Sequence, residues 1–189
     1  MNIVEVTTTQ TVVEVTETSA TVDVVAGQDT VLVNPPDMAF MCAFDTTEQA
    51  AASPTQTYKI KHNSTDGNYA IVNIDGTFTF QRRGTYLINF STQHQNTTTN
   101  YVDVNVFVKK NGQVVPATNS KTTVEAKHRQ IPGHMIMAVS FLMFFDVNET
   151  FELWWQSANP GCTLHTVAAV VSPEIPVSPS ILTTIVQVA

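Results

Sequence analysis

The sequence predicts an all-β protein: a jelly-roll sandwich preceded by an extended N-terminal β arm. Three observations predict it. Val and Thr recur along the whole chain, and β-branched side chains fit a pleated, half-buried surface. No long stretch repeats its apolar residues at the helical period of 3.6. Short apolar or alternating segments instead follow one another between Gly, Pro, Asn and Asp turns. With 189 residues, 43% of them hydrophobic, the chain has material for one domain of ordinary size and an arm.

The arm is assigned to residues 1–28. Val4-Glu5-Val6, Val13-Glu14-Val15 and Val22-Asp23-Val24 recur with a period of nine, separated by Thr-rich spacers. Each unit alternates apolar and acidic side chains, which is strand patterning. Three short strands bury little surface by themselves, so such an arm gains stability by adding to a sheet edge or lying in a groove of a partner. A low-complexity tail is the alternative. Gly27-Gln28-Asp29 closes the arm, and the jelly roll is assigned to residues 29–189.

Within that domain residues 30–33 form a strand stopped by Asn34-Pro35-Pro36, because Pro cannot donate to a ladder. Residues 38–44 are the next apolar segment, and the polar 46–57 reads as a surface loop. Strands 69–74 and 77–80 flank Asp75-Gly76, a strong short-range hairpin signal. Strands 85–92 and 101–108 are separated by the polar loop 93–100, and Asn111-Gly112 makes a tight hairpin into 113–115. Residues 117–130 read as an exposed connection. Strands 135–145 and 151–155 are expected to form a hairpin around the acidic turn 146–150. Strands 164–171 and 181–188 finish the sheets across a Pro-rich link. The body thus has the strand complement of a jelly roll.

Charge is distributed unevenly. Residues 1–57 contain eight acidic residues and no Lys or Arg, while the remainder is close to neutral with nine basic residues against eight acidic ones. An acidic first third argues against nucleic acid as partner, since phosphates demand a basic surface. It suits a basic protein surface, or serves solubility alone. Cys42 and Cys162 have no metal-ligand spacing and read as two buried free thiols, with a disulfide the alternative. The opening residues carry neither a basic n-region nor an apolar h-region, so no secretory signal is expected, and no apolar run is long enough to span a membrane.

Adjacent strand residues point to opposite faces. Phe151, Leu153 and Trp155 therefore share the core face, and Trp154 shares the wetter face with Glu152. Trp154 is a candidate surface anchor for a partner, unless loops of its own chain cover it. Tyr86, Ile88 and Phe90 fill the sandwich, which leaves Leu87 on the outer face of its sheet; Leu182 and Val186 share one face likewise.

The order of pieces from about residue 77 onward resembles the C1q/tumour-necrosis-factor jelly-roll superfamily. The matching pieces are Phe78-x-Phe80 before Gly84-x-Tyr86-x-Ile88, then residues 106–112, then Asn148-Glu149-x-Phe151-x-Leu153, then Ser180-x-Leu182. The chain departs from the family in lacking its Gly-Asp turn and a collagen-like stem. The resemblance implies a tight homotrimer, with Leu87, Leu182 and Val186 at the threefold interface. The whole chain is also similar to virion proteins of tailed phages that carry acidic Val/Thr-rich N-termini before a C1q-like tip. That similarity implies a capsid decoration (cement) protein or head fibre, made in the host cytoplasm and placed on the outer capsid surface. Residues Val4, Glu5, Val6, Val13, Glu14, Val15, Val22, Asp23 and Val24 would then grip the major capsid protein. A receptor- or glycan-binding fibre tip is the alternative, with loop 93–100 and Trp154 as its candidate ligand residues.

Catalytic chemistry is not expected. The five histidines are spaced as scattered surface residues, and no nucleophile elbow, P-loop or dinucleotide fingerprint occurs. Asp146 and Glu149 share a turn that reads as solvated rather than as a Ca²⁺ site. No catalytic residue, metal or cofactor is therefore assigned.

Overall fold

The computed structural model describes residues 3–5, 21–23, 30–34, 38–68 and 70–189. The chain divides into two compact units, Met1–Met38 and Ala39–Ala189. In the first, β1 (Ile3–Glu5) and β2 (Thr21–Asp23) flank the central β3 (Thr30–Asn34) in an antiparallel sheet, with Ile3 opposite Leu32 and Val22 opposite Val33. Residues 30–33, expected within the jelly roll, pair with β1 and β2 in this small sheet. Val4 and Glu5 lie in β1, and Val22 and Asp23 in β2. Val6, Val13, Glu14, Val15 and Val24 lie outside the described residues.

The second unit contains β4 (Phe40–Asp45), β5 (Gln49–Ala50), β6 (Tyr58–Lys59), β7 (Ser64–Gly67), β8 (Ile71–Ile74), β9 (Thr77–Phe80) and β10 (Gly84–Asn96). It continues with β11 (Val102–Lys110), β12 (Gln113–Val114), β13 (Ser120–Val124), β14 (Gly133–Phe145), β15 (Thr150–Ser157), β16 (Cys162–Leu164) and β17 (Ile181–Gln187). All pairings are antiparallel. The first sheet runs β14-β10-β17-β4-β7, with β16 beside the end of β10 and β5 beside β16. The second runs β8-β9-β15-β11-β13, with β12 also on β11 and β6 also on β15. Number β4, β9, β10, β11, β13, β14, β15 and β17 from first to eighth. The sheets then read first-eighth-third-sixth and second-seventh-fourth-fifth, an order consistent with a jelly-roll sandwich.

Alternation builds the core. Tyr86, Ile88 and Phe90 from the first sheet meet Phe78, Phe80, Phe151, Leu153 and Trp155 from the second, all buried. Phe80 stacks on Phe145 at 3.9 Å between ring centroids and tilts against Tyr86 at 4.5 Å. The Tyr86 hydroxyl donates to the Arg82 carbonyl at 2.8 Å. Gly84 is required where β10 starts, since an added Cβ would lie 2.5 Å from the Ala189 backbone oxygen. Both predicted hairpin turns are present: Asp75-Gly76 and Asn111-Gly112 have positive φ at both residues, as a two-residue hairpin of this type demands.

Four expectations are corrected. Strands β14 and β15 do not form a hairpin: β14 pairs with β10, and β15 with β11, β9 and β6. The acidic turn arches between sheets, because Phe145 and Phe151 must enter one core from opposite sides, their rings 6.3 Å apart and perpendicular. The polar 117–130 stretch contains β13, whose outward residues are held by Asp103. Thr123 Oγ1 donates to it at 2.6 Å and Lys121 Nζ lies 2.7 Å away. Residues 93–96 extend β10 rather than opening a loop. Asn96 is buried there, its amide donating to the carbonyls of Asn100 and Glu125 at 2.8 and 2.9 Å. Finally, residues 165–171 do not continue β16. Val167 and Val170 instead make isolated bridges to Ser178 and Ile175.

Candidate functional site: an apolar sheet face

The first sheet turns one face to the core and one outward. Register places Leu142, Leu87, Val186 and Phe40 side by side across β14, β10, β17 and β4 on the outward face. Two residues further along lies the row Ser140, Asn89, Thr184 and Cys42. Two beyond that lies the row Ala138, Ser91, Leu182 and Phe44. Ile136 and Phe144 extend the face along β14. Leu142 is 67% exposed, Ile136 66%, Phe40 48%, Phe144 44% and Leu182 37%. The outward positions of these four strands hold no Asp, Glu, Lys or Arg. The charges sit at the margin, where the Arg83 guanidinium lies over the Phe144 ring at 5.2 Å. An uncharged centre that bears aromatic and aliphatic side chains, with charges at its margin, matches the composition of the core of a protein interface.

Leu87, Leu182 and Val186, which the resemblance implies at a threefold interface, lie on one face of the first sheet. Leu87 is directly opposite Val186, and Leu182 is on the same face of β17. Sequence reasoning missed Leu142, Ile136, Phe144 and Phe40. For Ile136, Leu142 and Phe144 the signal was the run 135–145, and for Phe40 the segment 38–44, each apolar at both parities, as a strand covered on both faces is.

Trp154 lies on the outer face of the second sheet, half-buried, while Trp155 is fully buried. Its indole N–H donates to Glu152 Oε2 at 2.9 Å, and the Lys109 ammonium sits 3.5 Å from the ring centroid. Glu152 also accepts from Thr77 Oγ1 at 2.8 Å and faces Lys59 Nζ at 3.7 Å. Desolvation works against this carboxylate, but its hydrogen bonds and the two ammonium groups hold it below the usual range. A short way along the same face a groove of about 410 Å³ is lined by Asn105, Phe107, Asn119 and Gln156 together with Val114 and Pro116.

The histidines are not all scattered on the surface. His62 and His94 lie in the core, with Nε2 of each 2.9 Å from a threonine hydroxyl, Thr183 and Thr92 respectively. Both Nδ1 atoms are buried without a hydrogen-bond partner. Burial pushes both imidazoles down to about 4. His134 and His165 approach to 5.8 Å between ring centroids, and His165 Nδ1 lies 3.1 Å from Glu48. Among the described residues no group of three such side chains could hold a metal ion. Asp146 and Glu149 face cations of the chain itself, Arg83 at 3.2 Å and Lys110 at 2.6 Å. Both cysteines are free: Cys162 is buried, its thiol pushed up to about 11 by desolvation, but Cys42 is half-buried on the outward face rather than in the core. No protein-family model matches the chain, and no curated protein matches it in sequence.

Proposed function

We propose that the protein is a homotrimeric structural virion protein: a capsid decoration or cement protein of a tailed phage, with a C1q/tumour-necrosis-factor-like jelly roll. The outward face of the first sheet is the trimer interface, and the acidic N-terminal arm is the capsid attachment. The observation that carries the reading is the uncharged apolar face around Leu87, Leu142, Val186 and Phe40. Covering it with identical faces removes apolar surface from water on every copy, the dominant favourable term in association. The acidic character of residues 1–57 supports an attachment to a basic surface of the major capsid protein. Three arms held by one trimer act together, so weak individual contacts sum to firm attachment.

Light scattering on the full chain is expected to give three times the protomer mass of 20.7 kDa. Added to capsids stripped of decoration, the protein should saturate their surface and raise their disassembly temperature. A monomer in solution, or no effect on capsids at saturating concentration, would sink the respective half of the proposal. A second reading, a glycan-binding fibre tip, draws on the groove beside Phe107, where an aromatic ring and the amides of Asn105, Asn119 and Gln156 have the chemistry of a saccharide site. Saturable binding on a glycan array, lost in Phe107→Ala, would favour that reading over cementing.

A further inference from the structure

A polar band crosses the apolar face. Ser140, Asn89 and Thr184 stand side by side on β14, β10 and β17, and Cys42 follows on β4. The row on one side, Leu142 to Phe40, is apolar throughout, and the row on the other contains Leu182 and Phe44. Ser140 Oγ donates to Asn89 Oδ1 at 2.6 Å, which fixes the orientation of the amide. That leaves Asn89 with one acceptor lone pair on Oδ1 and both donors on Nδ2. Among the described residues no group accepts from Nδ2.

In water this is of no consequence. Once the face is covered, an amide with unused donors disfavours any partner that offers only hydrocarbon. A second copy of the same face offers what is missing, because Asn89 carries a donor and an acceptor on one group. We propose that the Asn89 side chains of the copies meet in the covered interface. Each Nδ2 donates to Oδ1 of the next copy, closing a ring of amides inside an apolar collar. The closed ring satisfies one donor and one acceptor per copy only when the copies are in register. It therefore acts as a specificity determinant: the apolar rows supply the attraction, and the amide selects one arrangement among the many that a greasy face permits. This inference rests on the trimer reading above.

The test uses the full chain, with wild type, Asn89→Asp and Asn89→Leu compared by light scattering and native mass spectrometry. Far-UV circular dichroism confirms that each variant retains its β fold. In Asn89→Asp the ring would hold one carboxylate per copy, so at neutral pH assembly should weaken at least tenfold, and it should recover at a pH low enough to protonate the Asp. Asn89→Leu removes the selecting group but keeps the apolar attraction, so it should still associate while losing its single mass. If wild type is a trimer and Asn89→Asp assembles equally well at neutral pH, Asn89 lies outside the interface and the inference is overturned. If Asn89→Leu gives a homogeneous trimer, Asn89 is not the selector. A wild-type monomer would instead remove the trimer reading itself.

Discussion

His62 and His94 show how single residues couple this sandwich to pH. Each imidazole is held neutral in the core, with one nitrogen on a threonine hydroxyl and the other without a partner. The folded pKa, about 4, lies below the ordinary value of 6.5, so the unfolded chain takes up these protons first as acid is added. Their contribution to stability is therefore complete above about pH 6.5 and is lost as pH falls toward about 4. It amounts to up to about 3 kcal/mol per histidine. Urea unfolding should show a clearly lower midpoint at about pH 4.5 than at about pH 7. Replacing His94 by Gln should flatten that difference by roughly half; a midpoint independent of pH would show that neither ring is buried in the neutral form. His94 was open to a parity argument, since it continues the inward series Tyr86, Ile88, Phe90, Thr92 on β10, whereas His62 lies between strands and offers none. The polarity of residues 93–100 masks this series, because a run of Gln, Asn and Thr is equally the composition of a loop.

At the scale of elements, β14 carries the clearest consequence. It lies at the edge of the first sheet, paired with β10 along its whole length, and presents Ile136, Leu142 and Phe144 outward. Leu142 is well exposed in the protomer, so Leu142→Lys should leave the unfolding temperature of the protomer almost unchanged. In the proposed trimer the same change would bury an unpaired ammonium, which is strongly destabilising. Assembly should then weaken by a hundredfold or more, or about 2.7 kcal/mol, measurable as a shift to monomer on dilution. A variant as trimeric as wild type would place the interface elsewhere. The strands with alternating patterns and the Asn-Gly and Asp-Gly hairpins were legible because those signals are local. Strand β13 was not: only Val124 among its five residues is buried, and its support comes from Asp103, distant in sequence. The supposed hairpin of β14 and β15 failed for a related reason. A short acidic turn is equally compatible with strands lying side by side and strands facing each other across a core.

For the molecule as a whole, the two units make separable predictions. The strands of Ala39–Ala189 pair among themselves into both sheets of the sandwich, and those of Met1–Met38 pair among themselves into the small sheet. A chain truncated to residues 39–189 should therefore fold, melt within a few degrees of the full chain and remain trimeric, while losing attachment to capsids. A truncated chain that is monomeric would make the arm the assembly element. The all-β class, the parity of the core residues and the outward placement of Leu87, Leu182 and Val186 could all be read from the chain, because strand alternation is a property of neighbouring residues. Which strands lie side by side could not. The pairing of Leu87 with Leu142 and Val186, the band through Asn89, and the entry of His62 into the core depend on contacts between distant segments. Those contacts are selected by the closure of two sheets around one core, and no local pattern encodes that selection.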